Sequence, residues 1–346
     1  MTHRKMLLTA AALSLALPLA ACGGSGESSA SGEKVTFMMD VGLLPKHALF
    51  YAAVDHGFYE DAGFDVEILP GTGSKDTSLA VSTGRADFGF ADFGQSVLAR
   101  SEGAGVTQLG LIQSETAYAT VTTSKSGIDD WDDLVGKKVA TEAGGAMTAM
   151  WPLAAERAGL DKDDVEVVAS SGQAKITGLL TGQWDATLAF YISDAPVLIA
   201  QGEKPVVLKW SDLDISMYGN GLITSDKAVA DDPERVKAFV GATMRGVTWA
   251  CKNQDQAVQS LMDSVREMDS KAATAGVEQA CGLLWPKDAP DGASLGSMDD
   301  EGAEHVFDLV GTYLDVDSTD ISTADVYTNE FLPEITTQTQ IEEPKQ

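Results

Sequence analysis

The sequence predicts an α/β fold in which two α/β lobes face each other across a ligand cleft and are joined by two hinge crossings. Two successive series of alternating strand and helix segments support this prediction, one before residue 124 and one from residue 128 to residue 209. A third observation is the change to mostly helical periodicity after residue 225. Extended segments at 121–123 and 222–224 separate these regions, so we expect the hinge strands there.

The first series begins with KVTFMMD at 34–40, an apolar segment that is typical of a strand. A helical pattern follows at 48–62, and alternation at 64–69 predicts a second strand. Ser74 is a good N-cap for the next helix. The remaining elements of this series are a helix at 75–83, strands at 86–91, 108–114 and 117–123, and a helix at 95–102.

The second series repeats the alternation. It predicts strands at 138–141, 165–169, 186–190 and 205–209, and helices at 131–134, 146–158, 175–181 and 194–201. Helical spacing then predicts helices at 233–252, 254–266, 270–284 and 299–314. We therefore expect one lobe at 35–121 together with 225–335, a second lobe at 122–224, and a loose polar tail at 336–346.

The first 21 residues have the layout of a secretory signal. A basic stretch at 3–5 precedes an apolar segment at 6–17 that is too short to span a bilayer permanently. The sequence LAAC at 19–22 resembles the bacterial lipobox, which implies cleavage before Cys22 and a lipid on its thiol. The small, polar stretch at 23–34 is a flexible linker. We therefore expect a protein on the extracytoplasmic face of the cell membrane, anchored through the lipid on Cys22.

Composition excludes some partners. The chain has 52 acidic and 24 basic residues, a formal net charge of −28. Nucleic acid and anionic lipid surfaces repel such a charge, so neither is an expected partner. The acidity itself indicates a solvated exterior and says nothing about the charge of a ligand.

The cysteines and histidines predict neither a metal site nor a cofactor. Cys251 and Cys281 remain once Cys22 is assigned to lipid, and in an oxidising compartment such a pair favours a disulfide. Two buried free thiols are the alternative. The four histidines are scattered, and neither CxxC nor HExxH occurs.

Several segments resemble one family of proteins. They are PKHALFYAA at 45–53, GFY at 57–59, AGFDV at 62–66, STGRADFG at 82–89, GKKV at 136–139 and YTNEFLP at 327–333. Together they resemble the solute-binding proteins for thiamine-pyrimidine precursors, sulfonates and nitrate, and the last segment is closer to the pyrimidine branch. The resemblance implies a type II periplasmic-binding-protein fold and a role in ABC import. It implies a monomer that captures a small molecule and delivers it to a permease with its ATPase subunit.

One enzyme shares this resemblance, the fungal thiamine-pyrimidine synthase, which holds pyridoxal phosphate on a lysine and consumes one of its own histidines. The matching segment GFADFG at 89–94 places Ala91 at the lysine position and Gln95 at the histidine position. Alanine has no amine for a Schiff base, so we expect a binding protein and not an enzyme.

Candidate ligand-binding residues follow the predicted strands, because ligands of open α/β sheets bind beyond the carboxyl ends of the strands. The polar and aromatic candidates are Asp40, His47, Asp92, Phe93, Glu142, Tyr191, Tyr218 and Asn220. Asp92 can accept from an amino group, and Phe93 can stack on a ring. His47 either contacts a ligand or is satisfied by backbone groups, and each aromatic residue either lines the cleft or packs in the core.

Backbone N–H groups at helix starts are a second kind of candidate. Gly73 with Ser74, and Gly144 with Gly145, open predicted helices in opposite lobes. Such groups suit a carboxylate, a sulfonate or a polar ring edge, and a plain tight loop is the alternative. The candidates as a whole favour an amine-bearing heterocycle such as a thiamine-precursor pyrimidine. An organic anion such as a sulfonate, nitrate or an aromatic carboxylate is the alternative ligand.

Overall fold

Two five-stranded sheets, each flanked by helices, form the body of the protein. The structure is a computed structural model that describes residues 32–142, 146–170, 172–287, 289–290, 292–314 and 321–344. The predicted signal sequence, Cys22, Gly144 and Gly145 lie outside these residues. Within the described ranges, no helix combines the length and the apolar character that crossing a membrane requires.

The strands are β1 (Glu33–Met38), β2 (Val41–Gly42), β3 (Phe64–Leu69), β4 (Gly71–Thr72), β5 (Phe88–Asp92), β6 (Val106–Leu111), β7 (Tyr118–Thr123), β8 (Lys138–Glu142), β9 (Glu166–Ser170), β10 (Ala186–Phe190), β11 (Pro205–Lys209) and β12 (Asn220–Ser225).

The helices are α1 (Ala48–Asp55), α2 (Phe58–Asp61), α3 (Ser74–Ser82), α4 (Phe93–Ser101), α5 (Ala146–Arg157), α6 (Gly172–Leu180), α7 (Tyr191–Ala200), α8 (Asp226–Asp231), α9 (Pro233–Lys252), α10 (Gln254–Ser264), α11 (Ser270–Gly282), α12 (Asp300–Tyr313) and α13 (Thr323–Val326). Single 3-10 turns lie at Pro45–His47, Trp131–Leu134, Lys162–Asp164 and Trp210–Leu213.

The first sheet has the strand order β3-β1-β5-β12-β6, in which β12 runs antiparallel to both neighbours. Strand β5 is buried along its whole length, as its apolar sequence predicts for a central strand. Phenylalanine rings with centroids 3.7–5.4 Å apart fill the space between this sheet and helices α1 and α9. Because β1 and β5 are parallel, the residues at their carboxyl ends, including Asp40 just after β1 and Asp92 at the end of β5, lie at the same edge of the sheet.

The second sheet has the order β11-β7-β10-β8-β9, in which β7 is the antiparallel strand. Each sheet thus consists of four parallel strands with one reversed strand inserted among them. The reversed strand is in each case the first one that the chain forms after it changes sheets. Glu142 and Phe190 mark the carboxyl ends of β8 and β10, the edge where ligands of such sheets bind.

The chain changes sheets at residues 112–117 and again at residues 210–219. The hinge strands predicted at 121–123 and 222–224 lie instead inside β7 and β12, where hydrogen bonds to two neighbouring strands fix them. Periodicity predicts an extended segment but not its partners, so it could not show that 121–123 and 222–224 pair within the sheets. We therefore propose that the lobe boundaries lie in these two crossings and not at 121/122 and 224/225.

The helix predicted at 48–62 is two helices in the structure. Gly57 has φ = 75°, in the left-handed region, and separates α1 from α2. Glycine adopts this conformation without steric cost, so the apolar periodicity continues across a break in the backbone. Both helices pack on α9.

The tail that the sequence predicts to be loose is attached to the first lobe along its described part, residues 336–344. Lys252 donates to the carbonyl of Thr339 (2.6 Å), and His56 pairs with Glu343 (2.8 Å). Ile341 packs against the first-sheet core. One apolar residue among polar ones does not predict packing, and the two polar contacts join residues that are distant in sequence. The attachment of the tail could therefore not be predicted from the sequence.

Candidate functional site

Asp40 is the centre of a buried polar cluster at the edge of the first sheet. Its carboxylate accepts hydrogen bonds from His47 Nε2 (2.8 Å), Asn220 Nδ2 (2.9 Å) and the N–H of Val41 (2.8 Å). It also forms an ion pair with Lys46. Apart from Val41, all of these side chains are buried. The carboxylate is therefore surrounded by donors, and its charge is compensated inside the protein.

His47 supports Asp40 in this cluster. The N–H of Leu44 donates to Nδ1 (3.0 Å), so Nε2 carries the proton and donates it to Asp40. Burial lowers the pKa of His47, although the hydrogen bond to Asp40 opposes this change. Burial alone would raise the pKa of Asp40, but Lys46 and His47 hold it well below its usual range. Both ring nitrogens are engaged, which fits the interpretation of His47 as a satisfied histidine that orients Asp40.

Lys46 brings the cluster to the junction between the two sheets. Only 1% of its side chain is exposed. Its Nζ atom lies 5.7 Å from the ring centre of Phe90 in β5 and 5.7 Å from that of Phe190 in β10. An ammonium over two aromatic rings is an attractive arrangement. Since the two rings belong to different sheets, Lys46 joins the two halves of the site.

Asp92 is a second buried carboxyl at this junction. Its Oδ1 accepts a hydrogen bond from the N–H of Gln95 (2.9 Å) and so caps the N-terminus of helix α4. The backbone of Asp92 is extended, as is typical of an N-cap residue. Burial raises its pKa to about 6, a change that the hydrogen bond from Gln95 opposes and the charge of Asp40 reinforces. Among the described residues, no basic side chain forms an ion pair with it. The N–H of Gln95 and the charge of Lys46 favour the ionised form but compensate this carboxyl only in part.

The second lobe contributes a charged cluster around Lys175. Its buried Nζ donates to the carbonyl of Leu188 (3.0 Å) and lies 3.4 Å from Glu142 and 3.5 Å from Asp194. Burial raises the pKa of Asp194, and the charge of Glu142 reinforces this change, whereas the charges of Lys175 and Lys46 oppose it. Helix α7, which carries Asp194, also contacts the 3-10 turn that carries Lys46, so the two clusters lie on neighbouring elements.

Aromatic side chains of the second lobe line the same region. The ring of Tyr118 makes edge contacts with Phe190 (5.1 Å between centroids) and Trp210 (5.7 Å). Burial raises the pKa of Tyr118, and the charge of Asp92 raises it further. The junction thus combines flat apolar surfaces with a few buried charged groups, the composition expected of a small-molecule site.

The structure brings four of the predicted site residues together, namely Asp40, His47, Asp92 and Asn220. Gly73 and Ser74, at the N-terminus of α3, instead form hydrogen bonds within the protein. The N–H of Gly73 donates to the carbonyl of Asp40 (2.7 Å), and Ser74 Oγ accepts the N–H of Asp92 (3.1 Å). Gly73, not Ser74, is the N-cap of α3. These contacts support the Asp40 and Asp92 loops.

The predicted aromatic residues are used mainly in packing. Phe93 is fully buried and meets Tyr218 edge-on at 5.4 Å. The hydroxyl of Tyr218 accepts the N–H of Asp299 (2.9 Å), and burial raises its pKa to about 12. Tyr191 belongs to the second-sheet core, with Lys209 Nζ 4.7 Å above its ring.

Five residues of the junction are absent from the sequence-based set: Lys46, Tyr118, Lys175, Phe190 and Asp194. Lys46 lies within the PKH segment, beside a predicted residue. Asp194 and Phe190 flank Tyr191 at the end of a correctly predicted strand. Lys175 and Tyr118 give no local signal, because they reach the junction only through the pairing of β7, β8 and β10.

Comparisons with known proteins agree with this architecture. The family model described as NMT1/THI5 like matches residues 44–257. The formylaminopyrimidine-binding protein of Halalkalibacterium halodurans is 24% identical over 276 residues, which are 79% of this chain and 83% of that protein. The 4-amino-5-hydroxymethyl-2-methylpyrimidine phosphate synthase of Schizosaccharomyces pombe is 23% identical over 252 residues, 70% of this chain and 72% of the enzyme.

A solved structure shows the same fold. The alkanesulfonate-binding protein SsuA from Xanthomonas axonopodis pv. citri, bound to MOPS, superposes with a TM-score of 0.64 at 16% identity, covering 86% of this chain and 99% of that one. The predicted type II periplasmic-binding-protein fold is thereby confirmed. Since the family model matches more than half of the sequence, the chain belongs to the NMT1/THI5-like family.

Proposed function

We propose that this protein is the extracytoplasmic substrate-binding component of an ABC importer and that it captures a small heterocycle bearing an amino group, such as a thiamine-precursor pyrimidine. The observation that carries the ligand class is Asp92, a buried carboxyl at the lobe junction without an ion-pair partner among the described residues. A buried carboxylate is costly unless donors satisfy it. A ligand amino group supplies such donors.

The neighbours of Asp92 fit a flat ligand. Asn220 Oδ1 is buried without a hydrogen-bond partner in the described structure, so it offers a second acceptor. Tyr118 and Phe190 provide apolar ring faces on the opposite lobe. Two acceptors beside aromatic surfaces match the edge and the faces of an aminopyrimidine ring. The relative named as a formylaminopyrimidine-binding protein supports the same ligand class.

The fold and the predicted anchor support a role in transport. Two lobes connected by two crossings can close on a ligand and present a closed surface to a permease. We propose that a lipid on Cys22 and the linker keep this monomeric receptor close to its permease and ATPase partners. A catalytic role is disfavoured at Ala91, which is fully buried within β5 and carries no amine.

An organic anion is the second candidate ligand, because Lys46 and Lys175 place two buried ammonium groups at the junction. Both ammonium groups already have carboxylate partners, whereas Asp92 has none among the described residues. The charge balance of the described site therefore favours a ligand that brings donors over one that brings a further anion.

Replacing Asp92 with asparagine separates the two candidates. Asp92→Asn keeps the size of the side chain and an oxygen that can cap α4, but it removes the charge. We expect the affinity for formylaminopyrimidine to fall about 10- to 100-fold, the usual range for losing a hydrogen bond to a charged group. Isothermal titration calorimetry of wild type and variant with formylaminopyrimidine and with MOPS, a sulfonate, measures this. Binding of MOPS alone, unchanged or strengthened in Asp92→Asn, would favour the organic anion.

The raised pKa of Asp92 also predicts how the free energy of unfolding depends on pH. Its native pKa is about 6 and its ordinary value is 3.8, so between these values the native state holds a proton that the unfolded state has lost. This group therefore makes the protein less stable as pH rises from about 4 to about 6, by on the order of 3 kcal/mol. We expect Asp92→Asn to lack this contribution. Urea unfolding of both proteins at several pH values gives the difference, and parallel curves would contradict the raised pKa.

A further inference from the structure

Helix α11 contacts both halves of the candidate site from outside. It packs along α7, the helix that carries Asp194, and against the 3-10 turn at Pro45–His47, which carries Lys46. It belongs to the C-terminal helical region, far in sequence from both contacts. A single rigid helix thus spans the space between the first-lobe turn and the second-lobe helix.

The contact with the turn is made at Gly276, where a side chain has no room. A Cβ atom on Gly276 would lie 2.2 Å from Pro45 Cβ and 3.0 Å from the carbonyl carbon of Pro45. Proline is rigid and the second obstacle is backbone, so rotation of a side chain cannot relieve the overlap. Alanine is the better helix former, so helix propensity does not explain the glycine at position 276. Close packing of the helix on Pro45 explains it.

The C-terminal end of α11 is fixed to the rest of the protein at two points. A disulfide joins Cys281 to Cys251 at the end of α9. The carbonyl of Leu283 accepts hydrogen bonds from the N–H (2.7 Å) and the hydroxyl (2.9 Å) of Ser114, which lies in the first crossing. With its end held, α11 cannot move away to accommodate a larger residue at Gly276.

We propose that Gly276 is a positioning residue for the ligand site. Through Pro45 it sets the position of Lys46 and His47, and through them the orientation of the Asp40 carboxylate relative to the second lobe. This inference rests on the proposed function in taking the Asp40 cluster as part of the ligand site. Gly276 acts through Pro45 and not by contact with the ligand, because the atoms nearest to it belong to Pro45.

The test is Gly276→Ala in the full-length protein, with Gly282→Ala as the matched control. Gly282 ends the same helix, and a Cβ there meets no atom within 4 Å. We expect Gly276→Ala to bind formylaminopyrimidine about tenfold more weakly, equivalent to about 1.4 kcal/mol, and Gly282→Ala to bind as the wild type does. Adding Pro45→Gly removes the nearest obstacle and should restore much of the affinity.

A ligand-free measurement distinguishes failure of this inference from failure of the proposed function. The Nε2–H resonance of His47, which reports its bond to Asp40, should shift in Gly276→Ala and return in the double variant. That result upholds the inference even when no ligand binds the wild type. An unshifted resonance, or unchanged affinity in Gly276→Ala, overturns it. Where Gly276→Ala does not fold, refolding by Pro45→Gly supports the contact, and absence of any rescue contradicts it.

Discussion

The free energy of unfolding is expected to fall by about 3–5 kcal/mol when Lys46 is replaced with methionine, because the change removes one partner of a buried ion pair. The side chains of Lys46 and Asp40 are 1% and 6% exposed, so water does not replace the lost ammonium. Methionine fills a similar volume and leaves the hydrogen bonds from His47 and Asn220 in place. The loss therefore reports the uncompensated charge of Asp40. Urea unfolding followed by tryptophan fluorescence measures it.

Two control variants define this result. Lys227 pairs with Asp231 on the surface and is 82% exposed, so Lys227→Met should change the free energy of unfolding by less than about 1 kcal/mol. Combining Lys46→Met with Asp40→Asn removes both charges and should recover part of the loss. If Lys46→Met were as stable as Lys227→Met, the assignment of Lys46 as the counter-ion of Asp40 would be wrong.

Removing the disulfide is expected to have an effect of similar size. The structure joins Cys251 to Cys281, as the sequence predicts, with Cα atoms 5.3 Å apart and a sequence separation of 30. Loop-closure entropy for 30 residues gives a loss of about 3–4 kcal/mol when both cysteines are replaced with serine. Thermal and urea unfolding of wild type and the double variant measure the loss.

Reduction provides an independent check on the disulfide. Both cysteines are half-buried and border an open cavity of about 350 Å³ that Lys252 and Trp285 also line. Dithiothreitol can therefore reach the bond, and it should lower the melting temperature of the wild type towards that of the serine variant without affecting the variant. Two labelled thiols in the denatured, unreduced protein would show that the bond does not form.

The strands of this fold could be predicted closely from the sequence, because alternation and apolar content are local properties. The strands at 64–69, 186–190 and 205–209 have the predicted bounds. The missed features depend on backbone conformation or on pairing. The helix break at Gly57 requires a positive φ. The positions of the two crossings depend on the pairing of β7 and β12 in different sheets.

Some residues of the candidate site could likewise be predicted from local sequence patterns, whereas others could not. Asp40, His47, Asp92 and Asn220 could be predicted because each lies at or near the end of a strand, and the edge of a sheet collects such residues. Lys46 and Lys175 are not among the predicted ligand-binding residues, because a lysine side chain usually faces solvent. Burying these ammonium groups requires carboxylates, Asp40 for the first and Asp194 with Glu142 for the second, and only the folded chain brings them close.

The α/β class, the order of the elements and the family segments are encoded locally in the sequence, since they depend on short-range periodicity and on contiguous residues. Tertiary packing sets which face of each element meets the other lobe. It places α7, with Asp194, on the turn that carries Lys46, and Gly276 against Pro45. These contacts join residues from distant parts of the chain. Their energies depend on burial and on distances of a few ångströms, which no local pattern specifies.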